Sequence, residues 1–434
     1  MKKGLVLGAA ALATVALAPV AEAGTVSMKG YYMFRVQSVE GGLYDGDFLA
    51  DTHGTGTADE SANAMRHRLE VNTEFKASEK THAHMKFRFV DGTVEGADSN
   101  VLGQAGAVAA ANTVKQAWLE TEAYGVALKM GNMPITLNDG ILVNHDSTAF
   151  GTFLLAKSFG DVTVIAADVK VTETDVQSST DDTDLYAVSV LGKIADVNLQ
   201  LTYAHLNAGY DFAAAPSVSD NWLGLTGSGA VAGIDYTATL LYEAGADYTG
   251  GNNTNQLDKA GWLGAVRLNG KTGFGAWNAY GFYASKNFDS ISDDNMVWSN
   301  TWDMGGPGGT DLLGTWATAA DRGNAVRSTD PSSNLWGIGA GLTVMAGGWK
   351  IVPQLDYVAV VEKDLNNDGV VTAADGLFDS AIAGSLFAST EIDTGTTLMI
   401  GGAYGNFDKG AGFNNGVSNI DDAGFVEASI KMAF

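Results

Sequence analysis

Residues 26–37, VSMKGYYMFRVQ, alternate with period two. Val26, Met28, Gly30, Tyr32, Phe34 and Val36 fall on one side, and Ser27, Lys29, Tyr31, Met33, Arg35 and Gln37 on the other. Successive side chains of a strand point to opposite faces, so this predicts a strand with one apolar and one polar face. MRHRLEVNTEFK repeats the pattern, with His67, Leu69, Val71, Thr73 and Phe75 opposite Arg66, Arg68, Glu70, Asn72, Glu74 and Lys76. THAHMKFRF sets Ala83, Met85, Phe87 and Phe89 against His82, His84, Lys86 and Arg88. A strand of a soluble sandwich would alternate in the same way, so the connections have to discriminate.

Short turns are predicted at 78–80, 124–125, 160, 194–196, 232–233, 269–273, 346–348 and 393–395. Between them lie long polar connections near 41–62, 91–112, 136–150, 175–182, 208–219, 245–257, 288–332, 363–385 and 408–422. Short and long connections alternate throughout, as expected of a membrane β-barrel with tight periplasmic turns and longer extracellular loops. Nine long connections and eight turns imply eighteen strands with both chain ends on one side; sixteen is the second reading. The expected fold is therefore all-β, a closed antiparallel transmembrane barrel. Closure follows from the backbone: in hydrocarbon no water satisfies a free N–H or C=O, so a spanning sheet can have no open edge. Tyr32, Trp118, Tyr203, Trp222, Tyr242, Trp262, Trp336, Trp349 and Tyr404 fall near strand ends and suit aromatic girdles, or ordinary packing.

The beginning of the chain has a different pattern. MKKGLVLGAAALATVALAPVAEA places Lys2 and Lys3 before an apolar run that closes on Ala21-Glu22-Ala23, as expected of a secretory signal peptide spanning residues 1–23. The barrel is then a single domain over 24–434. Beyond the signal no stretch approaches 18 consecutive apolar residues, so any membrane-spanning elements must be strands. Removing Lys2, Lys3 and Glu22 from 25 basic and 50 acidic side chains leaves 23 and 49, a net charge of −26. Such a chain repels nucleic acid. Having no cysteine, it can form neither disulfides nor a thiolate metal site.

Three groups of residues carry candidate chemistry. Arg35, Arg66, Arg68, Lys86 and Arg88 lie on the predicted lumen face, where rings of charge set the barrier for ions; Glu70, Glu74, Glu120 and Glu122 can neutralise them locally instead. Residues 364–375, DLNNDGVVTAAD, place Asp364, Asn366 and Asp368 at the first, third and fifth positions of a calcium loop. Gly369 comes at the sharp turn, the Val370 carbonyl follows, and Asp375 is twelfth. This resembles an EF-hand-type loop of the dockerin variant, with Asp rather than Glu at twelve, and the alternative is an acidic solvated turn. His82 and His84, at i and i+2, share a face and can hold a transition metal, but no third ligand is evident in the sequence. No G-x-S-x-G elbow or P-loop occurs, and no enzymatic activity or required cofactor is expected beyond calcium in that loop.

The last segment, AGFVEASIKMAF, alternates Val426, Ala428, Ile430, Met432 and Phe434 on its apolar face and stops at Phe434. That ending resembles the signal by which Gram-negative outer-membrane proteins are recognised for barrel assembly. With the signal peptide and the loop alternation, the whole mature chain resembles a general-porin-type barrel. The resemblance implies an outer-membrane channel passing ions and small hydrophilic solutes. It also implies contacts with lipopolysaccharide and the barrel-assembly machinery, and a homotrimer. In such barrels the third long connection folds into the pore. Its counterpart is 136–150, offering Asp139, His145 and Asp146, and the resemblance implies that these acids face the basic wall. A calcium-dependent surface-layer or adhesion protein is the alternative, and an outer-membrane barrel enzyme the third reading.

Overall fold

A computed structural model describes residues 24–40, 62–94, 113–172, 183–208, 217–244, 247–249, 260–286, 288, 334–361, 378–409 and 422–434. The strands are β1 (Thr25–Glu40), β2 (Ala62–Lys76), β3 (His82–Val94), β4 (Thr113–Ala123), β5 (Val126–Leu137), β6 (Val143–Phe159), β7 (Val162–Thr172), β8 (Thr183–Ile194) and β9 (Val197–Ala208). Then follow β10 (Ser217–Val231), β11 (Ile234–Glu243), β12 (Asp247–Thr249), β13 (Gly261–Thr272), β14 (Gly275–Ala284), β15 (Leu335–Ala346), β16 (Trp349–Val360), β17 (Phe378–Asp393), β18 (Thr396–Lys409) and β19 (Asp422–Ala433).

All pairings are antiparallel, and β1 pairs with β19, so the sheet closes on itself. Among the described residues the three-residue β12 pairs with β10 alone, while β11 pairs directly with β13. Eighteen strands therefore form the barrel wall, the number expected from the alternation of connections. At the seam Gly30 and Phe434 exchange both backbone hydrogen bonds at 2.9 Å, so the final residue belongs to the ladder. The Phe434 ring is exposed on the outside.

The wall strands hold 10 to 17 residues. At about 3.3 Å per residue and a tilt of about 40°, a twelve-residue strand rises roughly 30 Å, enough to cross the hydrocarbon core. Leu201, Leu223, Leu225, Leu240, Ile338, Leu355, Leu386, Ile400, Val426 and Ile430 point outward and are exposed. So large an apolar belt is untenable against water and natural against lipid. Near the long-loop end Tyr242 lies across from Trp262 and Tyr283 across from Trp336, with Trp262 stacked on Tyr283 at 4.7 Å. These residues, with Tyr203 and Tyr404, form an outer aromatic girdle. Trp118 and Trp222 depart from the girdle expectation: their registers put them with Gln116 and Thr226 on the inner face.

At the turns 124–125, 232–233 and 347–348 both central residues have positive φ, the hairpin geometry that matches right-handed strand twist.

Candidate functional site in the barrel lumen

The wall formed by β19, β1, β2 and β3 carries the charged residues anticipated in the sequence. Arg35 on β1 and Glu427 on β19 meet at 3.2 Å across the seam, with side-chain exposures of 1% and 0%. On β2, Glu70 accepts from both Lys86 and Arg88 at 3.3 Å. A bulge makes this possible: Leu69 pairs with Val90 and Glu70 with Arg88, leaving Phe89 unmatched and advancing the register of β3. Arg68, Glu74 and Glu120 share the inner face, and Lys129 holds Glu120 at 3.0 Å. Arg35, Lys86 and Arg88 are thus each ion-paired. The side chain of Arg66 lies outside the described residues, as do those of His145 and Asp146 and the whole 364–375 loop.

The connection expected over 136–150 is instead a hairpin. β5 runs to Leu137, a turn follows, and β6 begins at Val143, pairing with Leu137. Asn138, Asp139 and Gly140 all have positive φ, a conformation that Asn, Asp and Gly tolerate best. The sequence signal, Asn-Asp-Gly between apolar residues, was there to be read as a hairpin. It was obscured by the irregular return strand: Met133 pairs with Phe150 but Ile135 with His145, leaving 146–149 without ladder partners on β5.

The tip touches strands several positions away around the wall, which only a path through the interior permits. Asn138 donates to Thr226 on β10 at 3.2 Å, and Arg267 on β13 donates to both Asp139 oxygens at 2.9 and 2.8 Å. Asp139 is therefore engaged by Arg267 and does not face the basic wall of β1–β3, the apposition that the resemblance implied. Beyond it, Ile141, Leu142 and Val143 are fully buried among Val169, Leu185, Trp222, Leu241, Leu263 and Tyr280. Gly224 makes the seat: a Cβ there would fall 2.7 Å from the Asn138 amide group. A cavity of about 520 Å³ lies beneath the tip, lined by Asp139, Thr163, Gln200, Thr226, Ser228 and Thr237.

Tyr280 lies across from Arg267 on the next strand; it donates to Asp356 at 2.7 Å, and Gln354 donates to the same oxygen at 3.0 Å. Tyr280 and Asp356 stand on β14 and β16 with β15 between them; at Gly339 a Cβ would lie 2.2 Å from the carboxylate, so the bond needs glycine there.

The histidine pair has a third potential ligand beside it. Glu74 on β2 lies across from His84, and the three residues offer ligand atoms all within 4.8 Å of one another. Sequence spacing could not reveal it, because the carboxylate comes from the neighbouring strand.

No protein-family model matches the sequence, and no curated protein matches it. Solved structures do. OpdQ of Pseudomonas aeruginosa superposes with a TM-score of 0.54 at 10% identity, covering 94% of this chain and 99% of its own. OpdL of the same organism gives 0.53 at 11%, covering 94% and 98%. OccAB4 of Acinetobacter baumannii gives 0.52 at 10%, covering 96% and 100%. At such identities the likeness is one of fold. The even strand number, closure and apolar belt are those of a bacterial outer-membrane β-barrel.

Proposed function

We propose that the chain is a porin: a passive channel admitting ions and small hydrophilic solutes through a water-filled lumen that the β5–β6 hairpin narrows. The observation that carries this reading is the fixing of the hairpin tip inside a polar-walled barrel, by Asp139–Arg267 and by burial of Ile141 and Leu142. A lumen built for tight packing would not need charged walls, and an open one would not need a tethered hairpin. Solutes would pass between the hairpin and the β1–β3 wall, where paired charges offer polar contacts at little electrostatic cost and Arg68 adds to the field.

Purified protein in planar bilayers should show discrete conductance steps. An Arg68→Gln variant should shift ion selectivity away from anions while the steps persist. No conductance would remove the channel reading; unchanged selectivity would remove the role of Arg68.

In the same reading the protein is a homotrimer delivered by the barrel-assembly machinery, and its acidic loops meet divalent cations between lipopolysaccharide headgroups. The 364–375 loop is proposed to bind calcium through Asp364, Asn366, Asp368, the Val370 carbonyl and Asp375, with affinity of roughly 10⁻⁴–10⁻³ M, the range of extracellular modules. Calorimetric titration of detergent-solubilised protein should show a calcium heat. The heat should vanish in an Asp364→Ala/Asp368→Ala variant, and its persistence there would move the site elsewhere.

A further inference from the structure

We propose that Glu74, His82 and His84 form a binding site for a divalent transition metal of the zinc class on the inner wall, near the short-turn end of the barrel. The three side chains converge because of register. Glu74 is opposite His84 and Lys76 opposite His82, so the carboxylate sits beside both imidazoles on one face of the β2–β3 hairpin. Their ligand atoms lie within 4.8 Å of one another. Donors on one tetrahedral zinc are about 3.3 Å apart, given bonds of about 2.0–2.1 Å, so modest side-chain rotation completes the set.

The hydrogen bonding around His82 already suits a ligand. Its Nε2 is 3.2 Å from the Glu79 carbonyl, and as a donor there it fixes the tautomer whose Nδ1 lone pair points at Glu74. Nδ1 and the Glu74 oxygen are 2.7 Å apart. At that distance a proton bridges the two atoms, and a metal ion would replace the proton once the donors part to about 3.3 Å. Metal-bound histidines characteristically donate their other N–H to a carbonyl or carboxylate.

His84 is held from behind by Trp118, stacked at 4.6 Å with an interplanar angle of 13°. Its Nε2 lies 3.9 Å from Glu120, a second carboxylate in reach. Of the cations bordering the site, Lys86 is committed to Glu70.

Three protein ligands leave one coordination position, and a recess of about 200 Å³ beside Glu74 and His84, bordered by Ser27, Asn72 and Trp118, gives it room for water. Two imidazoles and one carboxylate select zinc, nickel, copper or cobalt over calcium and magnesium, which take oxygen ligands. An occupied site adds fixed positive charge to the lumen wall and should shift conduction towards anions. This last consequence rests on the channel reading; the binding does not.

The test is calorimetric titration of the folded, detergent-solubilised chain with Zn²⁺, in millimolar Ca²⁺ so that oxygen-only sites are filled. One Zn²⁺ per chain is expected, with affinity at least tenfold weaker in His84→Gln and Glu74→Gln, since even outer-shell changes cost about 10–100-fold. Binding should be abolished in His82→Ala/His84→Ala. A wild-type heat no larger than that of the double variant overturns the proposal. If the variants fail to fold, Co²⁺ added to the unaltered chain decides: tetrahedral absorption bands displaced by Zn²⁺ support the site, and their absence overturns it. Zinc binding without conductance in bilayers would support the site while removing the channel reading.

Discussion

An Arg35→Met variant is expected to lose about 3–5 kcal/mol of stability, because it would strand the fully buried Glu427 carboxyl without its counter-ion. The pair spans 392 positions of sequence and ties the first strand to the last at the seam. Its loss should therefore show as a lowered urea midpoint for the whole barrel, followed by tryptophan fluorescence in detergent. Adding Glu427→Leu should restore most of the loss, since a buried ion pair replaced by apolar groups of similar volume is often neutral or stabilising. The distinction matters physically. If the pair itself were the source of stability, single and double variants would suffer alike; if the cost lies in the orphaned charge, only the single variant suffers. Equal midpoints for parent and single variant would show that Glu427 finds water or another partner.

The second large effect is expected at the hairpin tip. Ile141 and Leu142 have no exposed surface, and truncating such side chains to alanine costs about 2–5 kcal/mol each. That energy holds the tip to the wall rather than the wall together, since the barrel ladder runs through strand pairs that the tip does not join. An Ile141→Ala/Leu142→Ala variant should therefore keep the parent's strand content and heat resistance while its conductance rises and becomes noisy. Asp139→Asn should act in the same direction and more weakly, because Asp139 and Arg267 are partly exposed and their attraction is screened. Identical current traces for parent and double variant would mean that the hairpin does not limit flow.

The strands around residues 26–37, 66–76 and 82–89 were legible because their two faces meet different solvents, lipid outside and a polar lumen inside, and period two records that difference directly. Further along the signal fades. In β8, Leu185 and Ala187 point inward while Tyr186 and Val188 point outward, and in β11 and β13 Leu241 and Leu263 are likewise inner and apolar. Both faces of these strands are apolar where the hairpin tip rests, so alternation cannot say which face is the lumen. Trp118 and Trp222 stay open in the sequence for the same reason: a tryptophan near a strand end suits a girdle or inner packing equally, and register separates the two.

Strand number, closure and the common side of the two chain ends could be read in one dimension, since each depends on local alternation and on the lengths of successive connections. The partners could not. Glu427 for Arg35, Arg267 for Asp139, and Glu74 for the two histidines are set by which strands become neighbours and in what register. Those choices are made by the whole closed sheet, when every main-chain group must find its bond at once.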